Sequence, residues 1–181
     1  MSTDEKTAFY LRHRALIEEW ATLRDVARSL FITQLRGLGD QMISWADSPE
    51  AVFVEEDGAW SKVGLTKPAW NEAGWRLSLV LAWSKGQLLT PARIERPYVG
   101  IHLASGCIGR RARSQLLREE CASAAGALGW KEPWEEAFPH WCWVDQPADS
   151  TTLEPWVDHC LMIFQAGWSA LHGVLDEVVD N

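Results

Sequence analysis

The chain has 181 residues, of which 47% are hydrophobic and 23% charged, and this balance is typical of one globular domain with a sizeable core. No stretch reaches the roughly 18 apolar residues of a membrane span, and the polar start excludes a secretory signal, so we expect a cytoplasmic protein. The four cysteines lack CxxC spacing and are expected to be buried thiols rather than disulfides.

Residues 1–47 are predicted to be helical. Apolar side chains recur at helical spacing up to Leu38, with charged residues such as Arg12 and Glu18 filling much of the other side. A short second helix follows, and Pro49 ends it. The apolar positions of the long helix are Phe9, Leu16, Ile17, Trp20, Leu23, Ala27, Leu30, Phe31, Leu35 and Leu38.

Residues 50–104 are predicted to form a β-meander. The clearest strand is "WRLSLVLAW", in which Trp75, Leu77, Leu79, Leu81 and Trp83 alternate on one face. This period of two indicates a sheet with one buried face and one mixed face. The runs "AVFVEE", "AWSKVGL" and "RPYVGIHL" supply further strands.

The last third alternates helix, strand and helix. A helix is predicted over residues 109–129, a strand over 139–145, and a final helix over 151–179. In the strand, Trp141 and Trp143 project to one side and are expected to pack under the helices. One domain over residues 1–181 follows, of the α+β class: an antiparallel sheet of about four to six strands packed against a long N-terminal helix, a middle helix and a C-terminal helix.

The loop "HLASGCIGRRARS" is the best candidate for binding an anion. Gly106 and Gly109 lead from a strand into a helix, and Arg110, Arg111 and Arg113 follow. Backbone N–H groups and the helix dipole favour an anion at such a place. The alternative is that the glycines only form the turn and the arginines are solvated, because neither a GK[ST] ending nor GxGxxG is present.

The acidic charge is concentrated in residues 131–181, which carry one Lys against ten Asp and Glu. Free nucleic acid would be repelled there, whereas a basic protein partner would be attracted. Asp145, Asp149 and Asp158 are the candidate partner-binding residues of this acidic face. The alternative is a plain solvated surface.

Metal and catalytic motifs are weak throughout the chain. His140 and Cys142 share a strand face, but His159 and Cys160 diverge by about 100° on a helix, so we expect no metal site. No nucleophile signature is present, and Glu55–Asp57 is interpreted as a hairpin turn. We therefore predict no catalytic residues and no cofactor.

Several segments together carry a family resemblance, and they run from "YLRHRALIEEWATLRD" through "WRLSLVLAW" and "RPYVGIHL" to "WCWVDQPAD" and "TTLEPW". Over residues 10–175 the chain resembles the non-catalytic C-terminal region of bacterial and phage proteins of the PD-(D/E)XK nuclease superfamily. The nuclease signature itself is absent, so the resemblance implies an accessory domain of mobile-element or defence biology and no catalytic residue.

Three functions stay open at this point. The first is a non-catalytic interaction protein that binds a nucleic-acid-handling protein and inhibits or accompanies it, as an immunity or anti-defence protein would. The second is a nucleic-acid-binding accessory domain that uses the arginines of the glycine loop. The third is a small enzyme with an anion site between Gly106 and Arg113. A protein partner, basic or nucleic-acid-binding, is expected under the first and nucleic acid under the second, and no membrane is expected under any of the three.

Overall fold

The structure is a computed structural model that describes residues 2–91, 95–131 and 135–180. It confirms the α+β class: five strands form one antiparallel sheet in the order β1-β2-β3-β4-β5. The strands are β1 Val52–Glu56, β2 Trp60–Thr66, β3 Leu77–Ser84, β4 Tyr98–Leu103 and β5 Trp141–Trp143. The helices of the described residues are α1 Thr3–Arg36, α2 Gly39–Trp45, α3 Pro68–Glu72, α4 Arg110–Glu120, α5 Ala122–Ala127 and α6 Glu154–Asp180.

Helix α1 begins where the sequence favours a cap. Ser2 accepts a hydrogen bond from the backbone N–H of Glu5 at 3.2 Å, and the Glu5 carboxylate accepts one from the N–H of Ser2 at 2.6 Å. This reciprocal capping box satisfies two N–H groups that a helix leaves free at its start. The helix bends at His13, whose backbone is not helical, and it ends at Arg36.

The main core lies between one face of the sheet and the helices. Alternate residues of β3 point into it: Leu77, Leu79, Leu81 and Trp83 all belong to this core, whereas Val80 and Ala82 pack on the other face. Helix α6 covers this face with a continuous apolar side that includes Phe164, Trp168 and Leu171. The predicted alternation of this strand is therefore confirmed.

The predicted middle helix is present as two segments, α4 and α5, which meet at Cys121. Gly129 follows them with a φ of 70°, a left-handed conformation that glycine adopts without a steric penalty. Helix α3 was missed, because its five residues are too few to show a period. Pro68 at its first turn is the signal that marks its start.

The orientation of β5 differs from the prediction. Trp141 and Trp143 pack with Val80, Ala82 and Tyr98 on the face opposite to the helices. Cys142, between them, packs against the main core instead. The expectation that both tryptophans lie under the helices is therefore wrong.

A buried lysine links α3 to α6. The ammonium of Lys67, whose side chain is 8% exposed, forms an ion pair with Asp176. The indole N–H of Trp70 donates to the same carboxylate at 2.8 Å. Asp176 thus satisfies two buried donors, and both would lose their partner if it were removed.

We expect Asp176→Ala to lower the free energy of unfolding by about 1.5 kcal/mol, because hydrogen bonds to charged groups contribute about that much. Urea unfolding followed by far-UV circular dichroism measures the change. Asp180→Ala is the matched control on the exposed end of the same helix, and we expect less than about 0.5 kcal/mol for it. Equal losses in the two variants would contradict this role of Asp176.

Candidate binding surfaces

The sheet has a second face, on which Val80, Ala82 and Tyr98 form a small buried cluster separate from the main core. Strand registers align its residues in rows that cross the sheet. The central row pairs Gly64 with Val80 and Val80 with Gly100, so two of its positions carry no side chain. The next row is Glu56, Lys62, Ala82, Tyr98 and Trp143. Small residues in the middle and large ones at the sides leave a depression.

Aromatic rings form one wall of this depression. The ring of Tyr98 lies 5.2 Å from Phe138, 5.7 Å from Trp143 and 6.5 Å from Trp60, each edge to face. Gly100 makes this possible, since a Cβ there would lie 3.3 Å from the Phe138 ring and 2.9 Å from the His140 carbonyl oxygen. Burial raises the pKa of Tyr98, so its hydroxyl stays protonated.

His102 occupies the floor beside that wall. It is 8% exposed, it contacts the Phe138 ring at 5.1 Å, and it has no hydrogen-bond partner among the described residues. Burial, together with the positive charges of Lys62 and Arg110, lowers the pKa of His102 to about 3. The imidazole is therefore neutral at pH 7 and offers one donor and one acceptor nitrogen.

Two cavities of about 190 Å³ each adjoin at this point. Lys62 and His102 line both of them. The first cavity has the aromatic wall, and the second is lined mainly by polar side chains. We call the pair the trough. Its principal lining residues are Trp60, Lys62, Ala82, Tyr98, His102 and Phe138 in the first cavity, and Thr66, Asn71, Arg76 and Ser78 in the second.

The recessed charge of the trough is positive. The ammonium of Lys62 pairs with Glu56 at 2.6 Å, but the lysine side chain is 14% exposed and the glutamate side chain 62%. Arg76, Glu55 and Glu56 also line the second cavity, and Glu135 lines the first; all four are exposed. The trough therefore has one recessed cation, Lys62, which is already paired, and exposed charges of both signs around it.

The arginines of the predicted anion loop have different surroundings. Arg113 stacks on Trp75, with its guanidinium carbon 4.5 Å from the ring centroid, and donates to the Ala73 carbonyl at 3.1 Å. Arg111 is exposed and lies 4.0 Å from Glu136. Arg110 is partly buried, and its charge acts on His102. Arg113 thus has a packing role, whereas anion binding by this loop stays a prediction.

The two glycines of that loop serve the backbone. Gly109 precedes α4 with a φ of 65°, in the left-handed region. Gly106 leaves space for Arg76, because a Cβ there would lie 3.1 Å from the Arg76 side chain. The trough and this loop are therefore adjacent through Arg76 and Arg110.

The predicted acidic face is exposed. Asp145, Asp149 and Asp158 are all at the surface, and Asp145 forms an ion pair with Arg96. The Arg96 guanidinium in turn lies 5.3 Å from the Trp143 ring. Part of the charge that was predicted to attract a basic partner is thus neutralised within the chain, and partner binding by these residues stays a prediction.

The cysteines lie in apolar surroundings. Burial raises the pKa of Cys121 to about 12 and that of Cys142 to about 11, so both thiols stay protonated near neutral pH. In residues 2–91, 95–131 and 135–180, no three His, Cys, Asp or Glu side chains form a cluster suited to a metal ion. No helix in that part of the chain is long and apolar enough to cross a membrane.

Helix α1 carries the other candidate surface. No described side chain of α1 before Phe31 is buried, although a row of mostly apolar side chains runs along one side of the helix. We call this side the stripe: its positions alternate in steps of four and three residues, and five of its seven side chains are 43–59% exposed. The stripe consists of Phe9, His13, Leu16, Trp20, Leu23, Ala27 and Leu30.

Comparisons of this chain with protein-family models, curated proteins and solved structures found no match. The two surfaces are therefore interpreted from their own geometry. Sequence reasoning missed both as sites, but each left a signal. The alternation of "YVGIHL" puts Tyr98, Gly100 and His102 on one face, and the stripe has the spacing of a helix that packs against another helix.

Proposed function

We propose that this chain is a non-catalytic protein-interaction protein and that the stripe of α1 docks a helix of its partner. The observation that carries the proposal is the exposure of large apolar side chains along one helix, with Trp20 59% and Leu23 58% exposed. Contiguous apolar surface of this kind marks interaction sites in soluble proteins. Isolated exposed apolar residues would need no such explanation.

The spacing supports a helix as the docking element. Beyond the bend at His13, steps of four and three residues keep the stripe from Leu16 to Leu30 on one side of α1 over about 20 Å, and a second helix can cover such a seam. Oppositely charged residues flank the stripe, among them Arg12, Glu19 and Arg24. Such mixed flanks fix the register of a partner helix by complementary charges.

The sizes of the side chains favour a different protein over a second copy. Two parallel copies would put each stripe residue opposite itself, so that Trp20 faces Trp20 and Ala27 faces Ala27. The first layer would be crowded and the second loose, and both cost packing energy. A partner helix with a small residue opposite Trp20 and a large one opposite Ala27 avoids both defects.

The family resemblance suggests the class of partner, namely a nucleic-acid-handling protein of mobile-element or defence biology. A basic partner would also be drawn by the acidic residues 131–181, since association is accelerated by complementary charge. Under this proposal the chain inhibits or accompanies that partner and has no reaction of its own.

We expect the double variant Leu16→Glu, Leu23→Glu to lose the partner protein that the tagged wild-type chain retains from its native cells. Two charges on the stripe would be buried unpaired in the complex, so the affinity is expected to fall at least 100-fold. Quantitative mass spectrometry measures the retained partner, and circular dichroism confirms an unchanged fold.

The matched control is Leu11→Glu, Ala15→Glu, which changes two exposed apolar residues on the side of the same helix that faces away from the stripe. It is expected to retain the partner. Retention by both double variants would contradict docking through the stripe. Light scattering of the purified chain tests whether a second copy covers the stripe. If the wild type is a dimer and Leu16→Glu, Leu23→Glu is a monomer, a second copy is the partner, and the proposal of a different protein is overturned.

A further inference from the structure

The first strand of the sheet, β1, is an edge strand. Among the described residues, no hydrogen bond joins its outer side to another segment. The opposite edge differs, because β5 has only three residues and its Trp141 carbonyl accepts a hydrogen bond from the Lys131 N–H at 2.7 Å. The five residues of β1 span about 17 Å. An edge of this length presents a row of backbone donors and acceptors to which another chain can add as a strand.

A groove adjoins β1 on the side of the main core. It has a volume of about 460 Å³ and lies between the junction of α1 with α2 and the ring of Phe53. Gly39 lets α2 approach that ring, because a Cβ there would lie 3.2 Å from it. Ile43 of α2 also lines the groove and is 41% exposed. Side chains of a strand alternate between the two faces of a sheet, so every second side chain of an added strand would point towards this groove.

The charge around β1 is acidic. Residues 40–57 hold six carboxylates and no Lys or Arg, and all six carboxylates are exposed. Arg36, Lys62 and Lys85 pair with three of them, and the other three form no ion pair within the described part of the chain. A positively charged segment is therefore complementary to this edge. The paired carboxylates are Glu55, Glu56 and Asp57, and the others are Asp40, Asp47 and Glu50.

A second copy of the chain is a poor occupant of the same edge. Pairing of β1 with β1 of another copy would bring two sets of these carboxylates together, and like charges on paired strands are destabilising. Charged side chains on an edge strand are one of the ways in which proteins prevent such self-pairing. A basic segment of a different protein meets attraction where a second copy meets repulsion.

We propose that an extended basic segment of a partner protein adds to β1 as a sixth strand. Its apolar side chains lie in the groove against Phe53 and Ile43, and its Lys or Arg side chains lie near the carboxylates of residues 40–57. Main-chain hydrogen bonds supply the affinity, whereas the groove and the charge select the segment. This surface is separate from the stripe, so the proposal goes beyond docking through α1 and does not depend on it.

Fluorescence anisotropy of labelled nine-residue peptides with the purified full chain is the first measurement. In three peptides Arg alternates with Val, Ile or Phe, and we expect at least one to bind with a Kd below about 100 µM at low salt. A version with Glu in place of Arg is expected not to bind. Hydrogen exchange followed by NMR is expected to slow at least tenfold at the outer amides of β1 when the peptide is bound. Absence of binding by all three peptides at 1 mM, or binding without protection of these amides, would overturn the proposal.

Two N-methylated versions of the bound peptide separate strand addition from attraction by charge alone. Methylation of every Arg nitrogen removes the donors along one edge of the extended peptide, and methylation of every apolar residue's nitrogen removes those along the other edge. We expect one version to bind at least tenfold more weakly than the other, because only one edge of the peptide faces β1. Equal affinities of the two versions would overturn strand addition.

Variants of the chain locate the peptide. Ile43→Lys removes an apolar side chain from the groove and adds a like charge, and Glu50→Lys reverses an exposed charge, so each is expected to weaken binding at least tenfold. The matched control Ile108→Lys makes the same change at a side chain that is 76% exposed and outside the groove, and it is expected to bind as the wild type does. Equal weakening by Ile43→Lys and Ile108→Lys would overturn the site.

Two further measurements separate this surface from the alternatives. The stripe variant Leu16→Glu, Leu23→Glu is expected to bind the peptide as the wild type does, and loss of the peptide in that variant would overturn docking at β1. Failure of the peptide test would leave docking through α1 unaffected. A dimer in light scattering, with the outer amides of β1 protected from exchange before any peptide is added, would identify a second copy as the occupant and overturn the proposal.

Discussion

Trp168→Ala is expected to lower the free energy of unfolding by about 3–5 kcal/mol, the usual range for a large aromatic residue in a core. Trp168 is 1% exposed at the centre of α6, and it belongs to the main core between the helices and the sheet. Its ring lies 5.8 Å from the ring of Trp70 and stacks on His172 at 5.4 Å. Removing the indole leaves a cavity that these two rings cannot fill unless they move into the vacated space.

Two control variants separate lost volume from lost polarity. The indole nitrogen of Trp168 is buried and has no hydrogen-bond partner among the described residues. Trp168→Phe removes that unsatisfied group together with part of the volume, so we expect it to cost less than half as much as Trp168→Ala. Trp20→Ala, on the exposed stripe, is expected to change stability by less than about 0.5 kcal/mol.

Urea unfolding of the three variants measures these losses, provided that the unfolding free energy falls with urea concentration at the same slope in each variant. A loss below 1 kcal/mol for Trp168→Ala would contradict the central position of this residue in the core. A loss for Trp20→Ala as large as that for Trp168→Ala would mean that the stripe packs within the chain, which would also contradict its proposed role in docking.

The elements that could be predicted from the sequence are those with a regular local period of apolar residues. Leu77, Leu79 and Leu81 alternate with smaller residues, and a period of two has few structural solutions in a soluble domain. The apolar side of α6 is equally regular, and it packs where the α+β class requires a helix. These elements are specified by neighbours in sequence, so no long-range information was needed.

The side of the sheet to which Trp141 and Trp143 point was not predictable in the same way. Alternation separates them from Cys142, and that separation was predicted correctly. Which of the two sets meets the helices depends on the pairing with β4, where Cys142 lies opposite Val99. A shift of one residue in that pairing would reverse the two sets. The register is a tertiary property that three residues of strand do not encode.

The trough could not be predicted from the sequence for a related reason. Tyr98 and His102 lie on one face of β4 by alternation, but Lys62 comes from β2, two strands away in the sheet. Only the registers of both pairings bring these side chains to one cavity. The stripe was fully visible as a pattern in α1, whereas its exposure depends on what the rest of the chain leaves uncovered.

Acid is expected to destabilise the protein through His102 by about 3 kcal/mol between pH 6.5 and pH 4. The folded state lowers the pKa of His102 to about 3, chiefly by burial, whereas the unfolded chain has the ordinary value near 6.5. Below pH 6.5 the unfolded state therefore binds a proton that the folded state does not. Each pH unit then costs up to about 1.4 kcal/mol until the folded imidazole also titrates.

His102→Phe isolates this contribution, because other groups that titrate between pH 6.5 and 4 are common to both proteins. We expect the difference in unfolding free energy between the wild type and this variant to shift by about 3 kcal/mol over that range, in favour of the variant at low pH. Ser78→Ala is the control, since Ser78 lies opposite His102 in the sheet and does not titrate.

If the unfolding free energies of the wild type and His102→Phe changed with pH in parallel, the imidazole would take up a proton in the folded state as readily as in the unfolded chain. Solvent that enters the trough, or a nearby carboxylate such as Glu135, would then stabilise the imidazolium. The pH curve therefore tests the floor of the trough independently of any ligand.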